Sequence, residues 1–169
     1  MQEFAYIHEE GQIPRGLKNI PFLEPFNQNQ VDELLNSAAL LDCNPGDVII
    51  REGERESRIF ILMSGEVSVL KNDKLIAQFN RQGSIFGEIA AIDDEIRSAS
   101  VVANSKVIRL AIDQKFLQDI KPPREDPAFY AALYKAIAQI TAARLKATSE
   151  EVARLEHEIL RLESLLAAE

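Results

Sequence analysis

Between positions 83 and 103 the chain sets a carboxylate, an arginine and serines among glycines and small apolar residues: Gly83, Gly87, Glu88, Ile89, Ala90, then Arg97, Ser98, Ser100 and Val101. Gly87 lets the backbone come close to a ligand. Residues 88–91 have the length of one helical turn, and a helix start offers unpaired N–H groups and a positive dipole end to an anion. Arg97 adds a fixed charge and a two-pronged donor for phosphate oxygens, and Ser98 adds a hydroxyl. Glu88 narrows the chemistry. A carboxylate beside a phosphate is repelled unless it has a donor of its own, and a ribose 2′-hydroxyl is such a donor. The stretch reads as a site for a phosphate and its sugar together. Each part also has a plainer reading that spacing leaves open. Gly-Glu is common at turns, Arg97 can pair with Asp93, Asp94 or Glu95 at the surface, and Ser98 and Ser100 can be outward-facing strand positions. A lone glycine-rich turn is a weak signal.

The elements that must position these groups divide the chain in three. Residues 1–40 are a lead-in punctuated by Pro14, Pro21 and Pro25, with an amphipathic helix expected from Gln28 to Leu41 on Val31, Leu34 and Leu35. The second unit is 41–125; within it residues 41–111 alternate in a period of two, around residues 48–50, 59–62, 67–70, 75–79 and 101–110. Gly46, Gly53, Gly65 and Gly83 fall between the runs. That spacing favours a small β-barrel or sandwich, followed by a short helix over residues 113–120. From 126 to 169 there is neither proline beyond Pro127 nor glycine, so one helix of about 66 Å is expected, with Asp126 as its N-cap and Pro127 in its first turn. Within it Val152, Leu155, Ile159, Leu162 and Leu166 step by three and four, continued backwards by Leu145 and Thr148. The seam reads as a parallel two-stranded coiled coil, with a single amphipathic helix lying on the barrel as the plainer reading.

Composition excludes several classes. The net charge is −8, and a nucleic-acid surface normally carries a basic patch. Cys43 is the only cysteine, so no intrachain disulfide forms and a reducing compartment suits the chain. No signal peptide is visible at the N-terminus, and no apolar run reaches the ~20 residues of a membrane span; cytoplasmic localisation is expected. An enzyme built on a metal-binding barrel needs several histidine or carboxylate ligands on facing strands. The two histidines, His8 and His157, lie outside the strand region. No catalytic residue, metal or cofactor is expected.

Residues ~20–120 resemble the cyclic-nucleotide-binding domain family. The first block of the resemblance is Pro45, Gly46, Asp47, Val48 and Ile49, then Glu52, Gly53 and Glu54, residues 59–62, and Ser64, Gly65, Glu66, Val67, Ser68 and Val69. The second is Phe86, Gly87, Glu88, Ile89 and Ala90, followed by residues 97–103. The resemblance implies a β-roll, a jelly-roll-like barrel flanked by short helices, holding a cyclic nucleotide. It implies that amides around Gly87, Ile89 and Ala90 face the phosphate, Arg97 neutralises it, Ser98 bonds it, and Glu88 takes the 2′-hydroxyl. Leu70, Ile85 and Phe86 would wall the base.

Residues 144–152 further resemble the dimer helix of catabolite-activator-type regulators, which implies that Thr148 and Ser149 cap the base, the serine from the partner subunit. That tilts the ligand toward cyclic AMP over cyclic GMP. Two departures qualify the likeness. The stretch before Thr148 is several residues longer, which makes Tyr130 and Tyr134, or Leu133 and Ile137, alternative lids. No helix-turn-helix domain follows, and residues 126–169 carry 5 basic and 7 acidic side chains, so this chain should not itself bind DNA. The expected protein is a homodimeric sensor joined through 126–169 to an attached or separate effector. A truncated DNA-binding regulator and a coiled-coil assembly module with a ligand-free barrel are the other readings.

Overall fold

The computed structural model describes residues 2–5, 16, 17, 19–56, 58–89, 96–113 and 127–167. Among the described residues nine strands form two antiparallel sheets: β1 (Gln2–Ala5), β2 (Ala39–Cys43), β3 (Val48–Ile50), β4 (Ile59–Ser64), β5 (Val67–Lys71), β6 (Lys74–Phe79), β7 (Ile85–Phe86), β8 (Ser100–Ala103) and β9 (Val107–Ile112). The sheet orders are β1-β2-β9-β4-β7 and β3-β8-β5-β6. From β2 to β5, and again from β6 to β9, successive strands switch sheets. The chain therefore winds as a roll, which is the β-roll expected above.

Two cores explain why β4 is almost continuously apolar rather than alternating. Phe60 and Leu62 face the interior of the roll with Leu41, Val67, Phe86 and Val101. Ile59 and Ile61 face the outside of the five-stranded sheet, where Phe22, Leu34, Leu35, Phe129, Leu133 and Ile137 cover them. A strand buried on both faces reads as an unbroken apolar run. On β9 the residues alternate likewise, with Leu110 and Ile112 outward and Val107 and Ala111 inward. Arg109 lies between these last two on the inward face, 1% exposed. Its guanidinium lies 4.6 Å from the Phe60 ring centroid, and its Nη1 donates to Cys43 Sγ at 3.1 Å. Burial pushes the Cys43 thiol up, against the lowering effect of Arg109.

Helix α1 spans Gln28–Asn36 and ends before Leu41, shorter than the apolar pattern suggests. Ala39–Cys43 instead pairs with β9 over five residues, because the ladder satisfies backbone groups that a further helical turn would leave at the surface. The lead-in also contributes β1, paired to β2, so the boundary placed at 40/41 falls inside a strand. The start of α1 is fixed by a capping box. Asn27 accepts from the Gln30 amide, and the Gln30 side chain accepts from the Asn27 amide, both at 3.0 Å. Asn27→Ala should cost about 1 kcal/mol of stability in a denaturant titration; no change would remove the box from the account.

Helix α2 spans Pro127–Leu166, in agreement with one long helix. Its N-terminal turns bury Phe129, Ala132, Leu133, Ala136 and Ile137 against the roll. Beyond Arg144 every described residue is exposed, so the helix leaves the roll as a free rod. Most of the short helix expected over 113–120, and the Asp126 cap, lie outside the described residues.

Candidate functional site

Strand β7 is two residues long and holds the start of the cassette against β4, with Phe86 opposite Phe60 and Ile85 opposite Ile61. The Phe86 and Phe60 rings stack at 5.4 Å and 25°. Gly87 follows with φ +81°, and a Cβ there would lie 2.7 Å from Arg97 Nη1 and 3.0 Å from the Arg58 carbonyl oxygen. Glycine is required on both counts, backbone sign and space. A helical turn opens at Glu88.

Arg97 is 2% exposed. Its Nη1 donates to the Gly87 carbonyl at 2.7 Å; its Nη2 donates to the Arg58 carbonyl at 2.7 Å and to Glu56 Oε2 at 3.1 Å. Glu56 also accepts from Arg58 Nε at 2.6 Å. Among the described residues nothing accepts from the buried Arg97 Nε. Among the described residues the ion-pair partner of Arg97 is Glu56, and the pair is buried on the arginine side. Residues 93–95 themselves lie outside the described residues. Burial pushes the guanidinium below the usual arginine range, and Glu56 opposes that shift; an arginine stays charged regardless. One carboxylate thus serves two cations, and the site keeps a surplus of positive charge for an anion.

The turn at 52–54 explains part of the sequence pattern. Gly53 N donates to the Arg97 carbonyl and Arg97 N donates to the Glu54 carbonyl, both at 2.9 Å. Glu52 N donates to Ser100 Oγ at 2.9 Å, so Ser100 is engaged rather than merely outward. Lys71 Nζ, paired to Glu52 at 2.8 Å, donates to the Ser98 carbonyl at 2.6 Å. The side chain of Arg97 is aimed because its backbone is clamped on both sides.

Glu88 is 3% exposed. Arg144 of α2 donates to it through Nη1, and to the Ile85 carbonyl through Nη2. The Arg144 guanidinium also lies over Phe79, 5.0 Å from the ring centroid. The long helix is thereby fastened to the carboxylate at the mouth of the cassette. Sequence reasoning did not assign this role to Arg144, although its place four residues before Thr148, on the same helix face, was a usable signal. Glu56 and Arg58 were missed too, since neither stands in a motif.

The remaining expected site residues are distributed unevenly. Gly87, Glu88 and Arg97 come together, and Ile89 follows with its side chain exposed. Ala90 lies outside the described residues. Ser98 is exposed beside Arg97. Phe86 belongs to the core inside the roll, whereas Ile85 points into the core beneath the helices. Leu70 is half-buried on β5, opposite Ser100. Thr148 and Ser149 are exposed one turn beyond Arg144, and Ser149 Oγ donates to the Leu145 carbonyl at 2.9 Å. Of the alternative lid residues, Leu133 and Ile137 are packed in the outer core, Tyr130 lies against it, and Tyr134 is exposed. Among the described residues no cluster of three or more histidine, cysteine or acidic side chains could hold a metal, and no helix is long and apolar enough to cross a membrane.

Residues 40–121 match the family model described as "Cyclic nucleotide-binding domain". A cGMP-dependent protein kinase of Eimeria tenella is 40% identical over 99 residues, 57% of this chain and 10% of the relative. A cAMP-dependent protein kinase regulatory subunit of Hypocrea atroviridis is 30% identical over 112 residues, 64% of this chain and 23% of the relative. The chain thus spans a quarter or less of the length of these curated relatives. The fold is also similar to that of the Thermus thermophilus catabolite activator protein, with a TM-score of 0.64 and 22% identity over 80% of this chain and 63% of that one. The roll, the glycine-led turn at 87, the buried arginine at 97 and the match over 40–121 agree, and residues 40–121 are a domain of the cyclic nucleotide-binding family.

Proposed function

We propose that the chain senses a cyclic purine nucleotide, cyclic AMP in preference to cyclic GMP, and reports it through the position of α2. One observation carries the reading: Glu88, the carboxylate suited to the ribose, is also the group that fastens α2 through Arg144. The phosphate enters against the turn opening at Glu88, facing the amides of Gly87, Ile89 and Ala90. Arg97 turns toward it from the two carbonyls it now holds, its Nε being already without a partner among the described residues. Ser98 adds its hydroxyl. Arg144 holds Glu88 Oε1, and the second carboxylate oxygen takes the 2′-hydroxyl. Thr148 and Ser149, one turn further along, support contact with an adenine amino group. A ligand shifts the helix only by the difference in its affinity for the two helix positions, and a shared carboxylate supplies such a difference. The exposed seam of α2 supports pairing with a second copy, and the relatives' names support a protein kinase, attached or separate, as the effector. The chain itself acts as a regulatory module, not a catalyst, in the cytoplasm.

Calorimetric titration tests this. One nucleotide per chain should bind, cyclic AMP more tightly than cyclic GMP; absence of heat with either at millimolar concentration would end the reading. Arg144→Ala should weaken binding about 10-fold to 100-fold, the range for hydrogen bonds to a charged group. It should also raise amide exchange over residues 139–166. Unchanged affinity with unchanged exchange would sever the helix from the site.

A further inference from the structure

Beyond Arg144 the rod of α2 presents Val152, Leu155, Ile159, Leu162 and Leu166 to solvent. In heptad terms these occupy positions a and d, with Leu145 and Thr148 before them. The positions that flank the seam, e and g, are Ser149, Glu151, Glu156, Glu158, Glu163 and Leu165. Four are glutamate and none is basic. The basic residues of the rod, Lys146 at b and Arg154 and Arg161 at c, stand away from the seam. Arg154 is turned onto Glu151 of its own helix, at 2.6 and 2.9 Å.

Flank charges decide which helix a seam accepts. In a parallel pair of identical chains, g meets e of the following heptad in the other chain, so Glu151 faces Glu156 of a second copy and Glu158 faces Glu163. In an antiparallel pair, e meets e and g meets g, and glutamate again faces glutamate. The apolar stripe thus favours pairing while its borders repel a second copy. The stripe is also short. Residues 150–166 span about 25 Å, little more than two heptads of apolar contact, so modest border repulsion weighs heavily against the apolar gain.

We infer that the preferred occupant of this seam is a helix of another protein, apolar at a and d and carrying lysine or arginine at e and g. A second copy is the weaker occupant and is displaced by it. The inference rests on the borders of the rod and not on the nucleotide site.

The test uses the full chain at neutral pH and two synthetic 21-residue helical peptides with one shared a/d seam. One peptide has lysine at every e and g position, the other glutamate. By fluorescence anisotropy the lysine-flanked peptide should bind at least 10-fold more tightly, and raising salt from 0.05 to 0.5 M should shrink that advantage, as screening requires. Sedimentation velocity should show self-association disappearing as the lysine peptide is added. The variant Glu156→Lys/Glu158→Lys/Glu163→Lys should reverse the preference. If that variant loses helix content by circular dichroism, the wild-type comparison of the two peptides decides alone. Equal binding of both peptides, binding of neither, or a homodimer persisting at nanomolar concentration against the lysine peptide overturns the inference. Cyclic AMP binding measured on the same samples separates this failure from failure of the nucleotide reading.

Discussion

Replacing Arg97 with glutamine is expected to weaken cyclic-nucleotide binding by two to three orders of magnitude while leaving the domain folded. Removing one member of a buried charge pair costs about 3–5 kcal/mol, and a bound phosphate would be the partner left without its cation. Glutamine keeps much of the volume and one donor, so the Gly87 carbonyl retains a candidate partner. Glu56 keeps Arg58 at 2.6 Å, so no buried carboxylate is orphaned in the unliganded protein. The two effects therefore separate: calorimetry should register the loss, and thermal melting without ligand should move little. Arg97→Lys should fall between wild type and glutamine, because an ammonium restores the charge without the fork. Wild-type affinity in Arg97→Gln would remove the cassette from the function.

Gly65→Ala should be the most destabilising of the simple glycine substitutions in the roll. Gly65 joins β4 to β5 with φ +94°, and a Cβ would lie 2.4 Å from the Lys106 carbonyl oxygen and 2.9 Å from Val107 Cα. Both are backbone atoms where the β8–β9 connection enters β9, held by the β9 ladder to β2, so neither can yield as a flexible side chain would. Backbone strain alone costs about 1–3 kcal/mol, and the clash adds to it. At about 2–4 °C per kcal/mol for a chain of this size, a loss of about 10 °C in Tm is expected. Gly53→Ala is the control. Its φ is +83°, but nothing lies within 4 Å of the added carbon, and about 1 kcal/mol should cover it. Equal losses for the two would show that sterics at Lys106 do not matter.

The parts of this molecule legible from sequence are those set by local periodicity. Short apolar runs separated by glycines gave the roll, and the glycine-led cassette with its arginine gave the centre of the site. What sequence hid depends on how distant elements meet. Leu40 and Leu41 satisfy a helical stripe and a strand equally, and only the β9 ladder settles them as strand. Arg109 stands where alternation along β9 points inward, yet its charge argues for the outside; the Phe60 ring and Cys43 are what let it stay. Spacing offers Arg97 only its nearby acids as ionic partners, whereas the fold also brings Glu56 to it from 41 positions away. Arg144 could be assigned to Glu88 only once the line taken by α2 across the roll was known.

Strand β4 has one further consequence. It is a diaphragm between two chambers: Phe60 and Leu62 press into one, Ile59 and Ile61 into the other, and all four are fully buried. Close-packed interiors compress little, so a displacement on one side cannot be absorbed within the wall. Arg97 pulls on this membrane at its rim, through the carbonyl of Arg58 at 2.7 Å, and the foot of α2 leans on its far surface through Phe129, Leu133 and Ile137. Letting go of that carbonyl would slacken the rim on the nucleotide side and shift the bearing on which the rod stands. The roll would then have two mechanical routes to its helix, the Arg144 tether above and the flexing wall below.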